Sequence, residues 1–206
     1  MRKLFFILSF LFLISCTKSV YKSKWTTAKA PETFITRFET SKGNFDVQIN
    51  RESSPKAVDR FYQLVKNHFF DTTLFYRVVP DFVAQFGISD STKTAQWQKT
   101  KIPDEEVRQS NIKGALSFAR AGKETRHDHL YLNLKDNLRL DTINRNGVKG
   151  FPAFGNVIKG MEIVESLYSG YGNETMSKVD TLNYTQLLKK FPKLDLINKV
   201  YILRKK

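Results

Sequence analysis

"LFYRVVPDFVAQFG", residues 74–87, reads as two apolar strands hinged at Pro80. Arg77 and Gln85 sit in it among Phe75, Val78, Val79, Phe82 and Val83. Side chains along a strand alternate between faces. Strict alternation therefore puts Arg77 on the face of Phe75 and Val79, and puts Phe82 and Gln85 on opposite faces. A permanent cation beside large apolar neighbours is costly to bury unless something pairs with it. Such an arginine is either ion-paired at a sheet edge or held there for a task.

The flanking sequence predicts the architecture. "FITRFETSKGNFDVQI" (34–49) is two alternating segments joined around Gly43-Asn44, a two-residue hairpin signal. In "SPKAVDRFYQLVKNHFF" (54–70), Ser54 takes the N-cap position, Pro55 the first helical position, and Val58, Phe61, Leu64 and Val65 form one buried stripe. Residues 88–112 are polar and read mostly as loop. "GALSFA" (114–119), "HLYLNL" (129–134), "FGNVI" (154–158) and "KVYILR" (199–204) read as strands, and "KGMEIVESLY" (159–168) and "YTQLLKKF" (184–191) as helices. About eight short strands with two or three helices suit a mainly β, closed barrel capped by helices, although other β-rich folds share this order.

The N-terminus predicts export. "MRKLFFILSFLFLISC" has a basic start and an apolar run from Leu4 to Ile14, too short to span a membrane. That is the plan of a secretory signal peptide over residues 1–15. Leu13-Ile14-Ser15-Cys16 resembles the bacterial lipobox, which implies that Cys16, the chain's one cysteine, is lipidated and becomes the mature N-terminus. Residues 16–31 are polar and basic with no apolar period and read as a tether. Residues 32–206 make one domain by size, with 171–206 as its C-terminal segment.

The formal charge of +14 falls by two when Arg2 and Lys3 leave with the signal peptide. The remaining basic residues are scattered, apart from short runs near the C-terminus, so no nucleic-acid partner is expected. Attraction to anionic headgroups or simple solubility accounts for the charge better.

The order of segments goes further. "FETSKGNFDVQI", "PKAVDRFYQLVKNHFFDTTLFYRVVPDFVAQFG", "IPDEE" (102–106), "KGALSFARAG" (113–122), "LRLD" (138–141) and "FGNVIKGMEIVESL" (154–167) follow one another as in the cyclophilin-type peptidyl-prolyl isomerases, which the chain resembles over roughly 34–170. The resemblance implies a closed eight-stranded antiparallel barrel with two helices. The C-terminal segment adds a helix before the last strand.

It also implies the roles. Arg77 stabilises the twisted amide, Gln85 orients the guanidinium or the peptide carbonyl, and Phe82 and Val83 line the proline pocket. Ala119, Arg120, His129, Tyr131 and Leu140 complete the substrate site. Isomerisation needs no cofactor and no metal. His127 and His129 stand at i, i+2, but no third ligand follows at a definite spacing. The partners implied are proline-containing unfolded or flexible polypeptides, met by a monomer held to an envelope membrane through its lipid and facing the periplasm.

Several residues depart from the family pattern. Arg120 stands where many members have asparagine, His129 for a glutamine, Tyr131 for a phenylalanine, Arg139 for a tryptophan, and Phe86 for a glycine beside the catalytic strand. Phe86 is expected to crowd the cleft or, if alternation holds, to face away from it. "TINRNGVKGFPAFG" (142–155) is longer than the family's usual turn and carries no histidine, with Phe151 a candidate substitute on that rim. These departures keep open a non-catalytic proline-peptide binder or holdase using the same cleft. A ligand-carrying barrel fits poorly, because bulky residues fill the sequence throughout.

Overall fold

A computed structural model describes residues 21–88, 91–179 and 181–205. The expected signal peptide and lipidation site, Cys16, lie outside the described residues. The strands are β1 (Thr33–Thr40), β2 (Gly43–Asn50), β3 (Thr73–Val79), β4 (Val83–Ile88), β5 (Ala115–Phe118), β6 (Leu130–Asn133), β7 (Asn144–Arg145), β8 (Val148–Lys149), β9 (Ala153–Lys159) and β10 (Leu196–Lys205). The helices are α1 (Pro55–Lys66), α2 (Ser91–Gln98), α3 (Met161–Glu165) and α4 (Tyr184–Lys190). Eight strands close an antiparallel barrel in the order β1-β10-β3-β4-β6-β5-β9-β2, and β7–β8 form a separate ribbon. No helix of the described residues is long and apolar enough to cross a membrane.

The barrel is filled by phenylalanine. Phe34, Phe38, Phe45, Phe61, Phe70, Phe75, Phe86, Phe118 and Phe154 are buried in one cluster, with Phe38 stacked on Phe45 at 4.6 Å. The α1 stripe of Val58, Phe61, Leu64 and Val65 enters the same core, as do Val164 and Leu167 at α3. Phe86 is fully buried against Phe38, Phe70 and Phe75. It therefore fills the core and does not crowd a cleft.

Two local readings are corrected and one, Ser54 at the N-cap, gains a detail. The first hairpin turns at Ser41-Lys42, since Thr40 pairs with Gly43; Gly43 opens β2 at φ +128°, a conformation suited to glycine. Ser54 holds the N-cap position of α1, but its hydroxyl donates to Glu105 at 2.5 Å. That carboxylate then caps the helix by accepting from the backbone of Lys56 and Ala57 at 2.8 and 3.1 Å. Within the polar stretch 88–112 lies α2, whose low amphipathicity hid it from periodicity; its Trp97 is buried, stacked on Trp25 and edge-on to Tyr21.

The described part of the expected tether lies on the domain. Gln63 of α1 donates to the carbonyls of Thr26 and Ala28 at 3.0 and 2.8 Å, and Asp59 accepts from the Ala30 backbone at 2.8 Å. The lengthened 142–155 turn is the β7–β8 ribbon, folded over Asn146-Gly147 with φ of +51° and +81°.

Because Phe86 carries core packing, Phe86→Ala should lower unfolding free energy by about 3–5 kcal/mol. Urea denaturation followed by fluorescence measures it; a loss below 1 kcal/mol would contradict the packing described.

Candidate active site

Arg77 points outward because β3 and β4 do not pair evenly. Leu74 pairs with Ile88, Phe75 with Phe86, and Arg77 with Gln85. Gly87 is thus an extra residue on β4, and Tyr76 an extra residue on β3. Such bulges interrupt alternation and re-aim side chains. Phe75 and Val78 both belong to the barrel core, while Tyr76 packs in a different cluster with Leu74, Ile88, Leu187, Phe191 and Leu194. Alternation alone would have put Arg77 on the face of Phe75; the bulge removes it from that face.

Phe82 reaches the same place by a turn. The Phe82 N–H donates to the Val79 carbonyl at 3.1 Å, closing a turn over Pro80-Asp81 with Asp81 at φ +55°. Phe82 thus stands before β4 begins, and the face rule that set it against Gln85 does not apply. Asn137 fixes it further by donating to the Phe82 carbonyl at 2.8 Å.

The guanidinium of Arg77 lies 5.3 Å from the Phe82 ring centroid and donates from Nη1 to Gln85 Oε1 at 3.1 Å. Its Nε donates to Asn173 Oδ1 at 2.7 Å. Burial pushes the Arg77 pKa down from its ordinary value; Tyr76 offsets part of this and Arg145 adds to it. The charge is retained, since arginine titrates far above neutrality.

Beside this group Val83, Tyr131, Leu140 and Phe151 form a compact apolar cluster, with Phe82 and Ala119 against its edge. Leu140 comes from a 3-10 turn, Leu138–Asp141, and Arg139 of that turn covers the Phe82 ring at 5.0 Å. Burial pushes the Tyr131 phenol well above its ordinary pKa, so it acts as a neutral donor. It donates to Asn111 Oδ1 at 2.8 Å. Asn111 is fully buried and ties the cluster together. Its amide donates to Asp141 and to the Phe151 carbonyl at 2.7 and 2.8 Å, and its oxygen also accepts from Asn133 at 3.2 Å.

Two of the expected substrate-site residues make polar contacts around the cluster. The Arg120 guanidinium stacks 4.4 Å over Phe151 and donates to the carbonyls of Val148 and Gly150, so it braces the ribbon and the rim. His129 stands outside the apolar cluster, its Nδ1 sharing a 2.9 Å hydrogen bond with the Tyr76 hydroxyl. It precedes β6, so the strand rule that would align it with His127 does not hold. Among the described residues no group of three or more His, Cys, Asp or Glu is placed to hold a metal. Asn111, Asn137 and Asn173 gave no sequence signal, since lone asparagines in loops are ordinary turn residues.

Residues 35–186 match the model of the cyclophilin type peptidyl-prolyl cis-trans isomerase family. The chain belongs to this family. It is 30% identical to peptidyl-prolyl cis-trans isomerase A of Dickeya dadantii over 62% of this chain and 67% of that protein. It is 27% identical to a peptidyl-prolyl cis-trans isomerase of Acinetobacter baylyi over 65% and 71% of the two chains. The crystal structure of a Cryptosporidium parvum cyclophilin superposes with a TM-score of 0.60 at 20% identity, covering 84% of this chain and 99% of that one. A second structure of that protein, determined in the presence of the dipeptide Ala-Pro, gives the same TM-score. In this cyclophilin the arginine, the glutamine and the apolar cluster expected from sequence meet on one outer face of the barrel, and Phe151 joins the cluster.

The buried asparagine should matter more than the tyrosine it meets. Tyr131→Phe removes one hydrogen bond and should cost about 0.5–1.5 kcal/mol. Asn111→Ala leaves several buried groups unsatisfied, at about 1–3 kcal/mol each, and should cost distinctly more. Denaturant midpoints of the two variants test this order; equal losses would refute it.

Proposed function

We propose that this cyclophilin is a lipid-anchored monomer of the bacterial cell envelope that isomerises X-Pro bonds in unfolded or flexible envelope proteins, with Arg77 as its catalytic residue. The observation that carries the catalytic assignment is the Arg77 guanidinium fixed between Gln85 and the Phe82 ring beside an apolar cluster.

Rotation about the prolyl bond is slow because amide resonance must be broken, a barrier of about 18–20 kcal/mol. In the twisted state the prolyl nitrogen carries a localised lone pair. A positioned donor that meets that lone pair binds the transition state better than either planar isomer. Arg77 supplies such a donor without a proton transfer. Gln85 uses its oxygen on Arg77, which leaves its amide nitrogen to donate to a peptide carbonyl. Phe82, Val83, Tyr131, Leu140 and Phe151 offer the proline ring an apolar seat.

The anchor rests on the lipobox resemblance at Cys16. Tyr21 follows five residues later and packs on Trp25 and Trp97. At about 3.3–3.6 Å per extended residue, the acyl group would hold the domain within about 18 Å of the lipid surface.

Arg77→Ala should lower kcat/KM by about 100-fold or more, as loss of one transition-state donor costs roughly 2.7–4 kcal/mol. Arg77→Lys should also be poor, because a point charge lacks the planar fork. Isomerisation of an Ala-Pro-Phe peptide measures both, with circular dichroism to verify folding. A folded, fully active Arg77→Ala would sink the assignment, and an inert wild type that still binds proline peptides would favour the holdase. For the anchor, Cys16→Ser should abolish incorporation of labelled fatty acid in a bacterial host; undiminished labelling would show that Cys16 is not the acceptor.

A further inference from the structure

The C-terminal segment reaches the candidate active site through Asn173, and we propose that Asn173 is a positioning residue for the Arg77 guanidinium. The proposal rests on the catalytic reading of Arg77 given above. Three observations carry it.

Asn173 occupies the N-cap position of a 3-10 turn, Glu174–Ser177, yet its side chain makes no capping hydrogen bond. The Asn173 backbone is already helical, at φ −90° and ψ −6°, so the side chain is free of the capping role. Here its oxygen instead accepts from Arg77 Nε at 2.7 Å, across 96 residues of sequence.

The turn that carries Asn173 is fixed to the strand that carries Arg77. The Thr175 hydroxyl, fully buried, donates to the main-chain carbonyl of Tyr76, the extra residue of the β3 bulge. Tyr76 also packs with Leu187, Phe191 and Leu194 from the same C-terminal segment, and Tyr171 lies against that cluster. The acceptor is therefore built on the bulge that aims the arginine.

The partners of Arg77 differ in kind from the aspartates that hold Arg37 and Arg51; like Arg60 and Arg120, which donate to main-chain carbonyls, Arg77 is held by neutral oxygens. Arg37 forms a two-pronged pair with Asp46 at 2.8 and 2.9 Å, and Arg51 does the same with Asp59 at 2.9 and 3.0 Å. Arg77 is held by two amide oxygens, from Gln85 and Asn173. Neutral acceptors fix the orientation of the fork without cancelling its charge. They engage Nε and Nη1, while Nη2 makes no hydrogen bond among the described residues. A long arginine side chain has many rotamers; restraining it on two sides before substrate arrives removes ordering that the transition state would otherwise require.

Loss of such a restraint is felt in the transition state more than in substrate binding, so it lowers kcat with KM little changed. Asn173→Ala should lower kcat about 3–10-fold with KM within twofold of wild type. In 15N-resolved NMR spectra the Arg77 Nε–H resonance should shift and exchange faster with water. In an Arg77→Ala background the same substitution should have no further effect, because residues that act as a unit are not additive.

An Asn173→Ala protein with wild-type kcat and an unmoved Arg77 Nε–H resonance overturns the proposal. So does a loss of kcat that persists undiminished in the Arg77→Ala background, which would mean that Asn173 acts elsewhere. Arg77→Ala measured alone separates the two claims. If it is as active as wild type, the catalytic reading fails and takes this proposal with it. If it is inactive while Asn173→Ala is unaffected, only the positioning role fails.

Discussion

Two offset bulges, Tyr76 on β3 and Gly87 on β4, hold the Arg77 guanidinium outside a barrel lined with phenylalanine. Each adds a residue to its strand, so the pairing slips and then recovers within a few positions. Gly87 makes the first slip possible. It has φ +122°, and a Cβ there would lie 2.2 Å from the Asp128 carbonyl oxygen. No side chain fits that spacing, so β4 can approach the chain entering β6 only at a glycine. The Tyr76 slip then gives Arg77 its partner. Without it, the residue opposite Gln85 would be different and the cation would turn toward the phenylalanine core.

The outer side of these strands is shared between two small apolar clusters. One is built from the C-terminal segment on Leu74, Tyr76 and Ile88; the other is the Val83, Tyr131, Leu140 and Phe151 group. Arg77 pairs with Gln85 between them in the ladder. Burial disfavours its charge, and no carboxylate among the described residues forms an ion pair with it. Arg60 and Arg120 are likewise buried without an ion pair, so what sets Arg77 apart is its place beside the Phe82 ring and the apolar cluster; Arg37 and Arg51, with their aspartates, serve the fold.

The barrel was legible in sequence because strand alternation, the α1 stripe and the hinge at Pro80 are local patterns. The phenylalanine positions that made these patterns are the ones that meet inside the barrel. What periodicity could not show was any break in periodicity. The bulges leave no composition signal, so alternation misplaced Arg77 and Phe82 relative to their neighbours. The helix α2 was missed because its sequence, STKTAQWQ, carries one large apolar residue, Trp97, which packs on the N-terminal segment. Of the expected substrate contacts, the apolar ones assembled because burial drives them together. Arg120 lies on the rim, stacked on Phe151 and donating to the Gly150 carbonyl, and His129 meets the Tyr76 hydroxyl outside the cluster. Asn173 lies more than ninety residues from its partner and just past the segments that carried the resemblance, beyond the reach of any local reading.

The placement of Phe86 bears on whether the cleft turns substrate over or only holds it. A bulky residue beside Gln85 was one of the departures that favoured the binder, since a ring in the cleft would favour ground-state stacking over transition-state geometry. In the fold that ring belongs to the core, paired through the ladder with Phe75, while Gln85 faces the other way and meets Arg77. The departure therefore leaves the donor geometry intact and changes only the filling of the barrel. What remains for the binder is the position of His129 outside the apolar cluster and the lengthened rim, from which Phe151 adds an apolar ring. A charged donor held beside Gln85 and next to an apolar seat is the arrangement that the proposed reading requires to favour a twisted amide over a planar one.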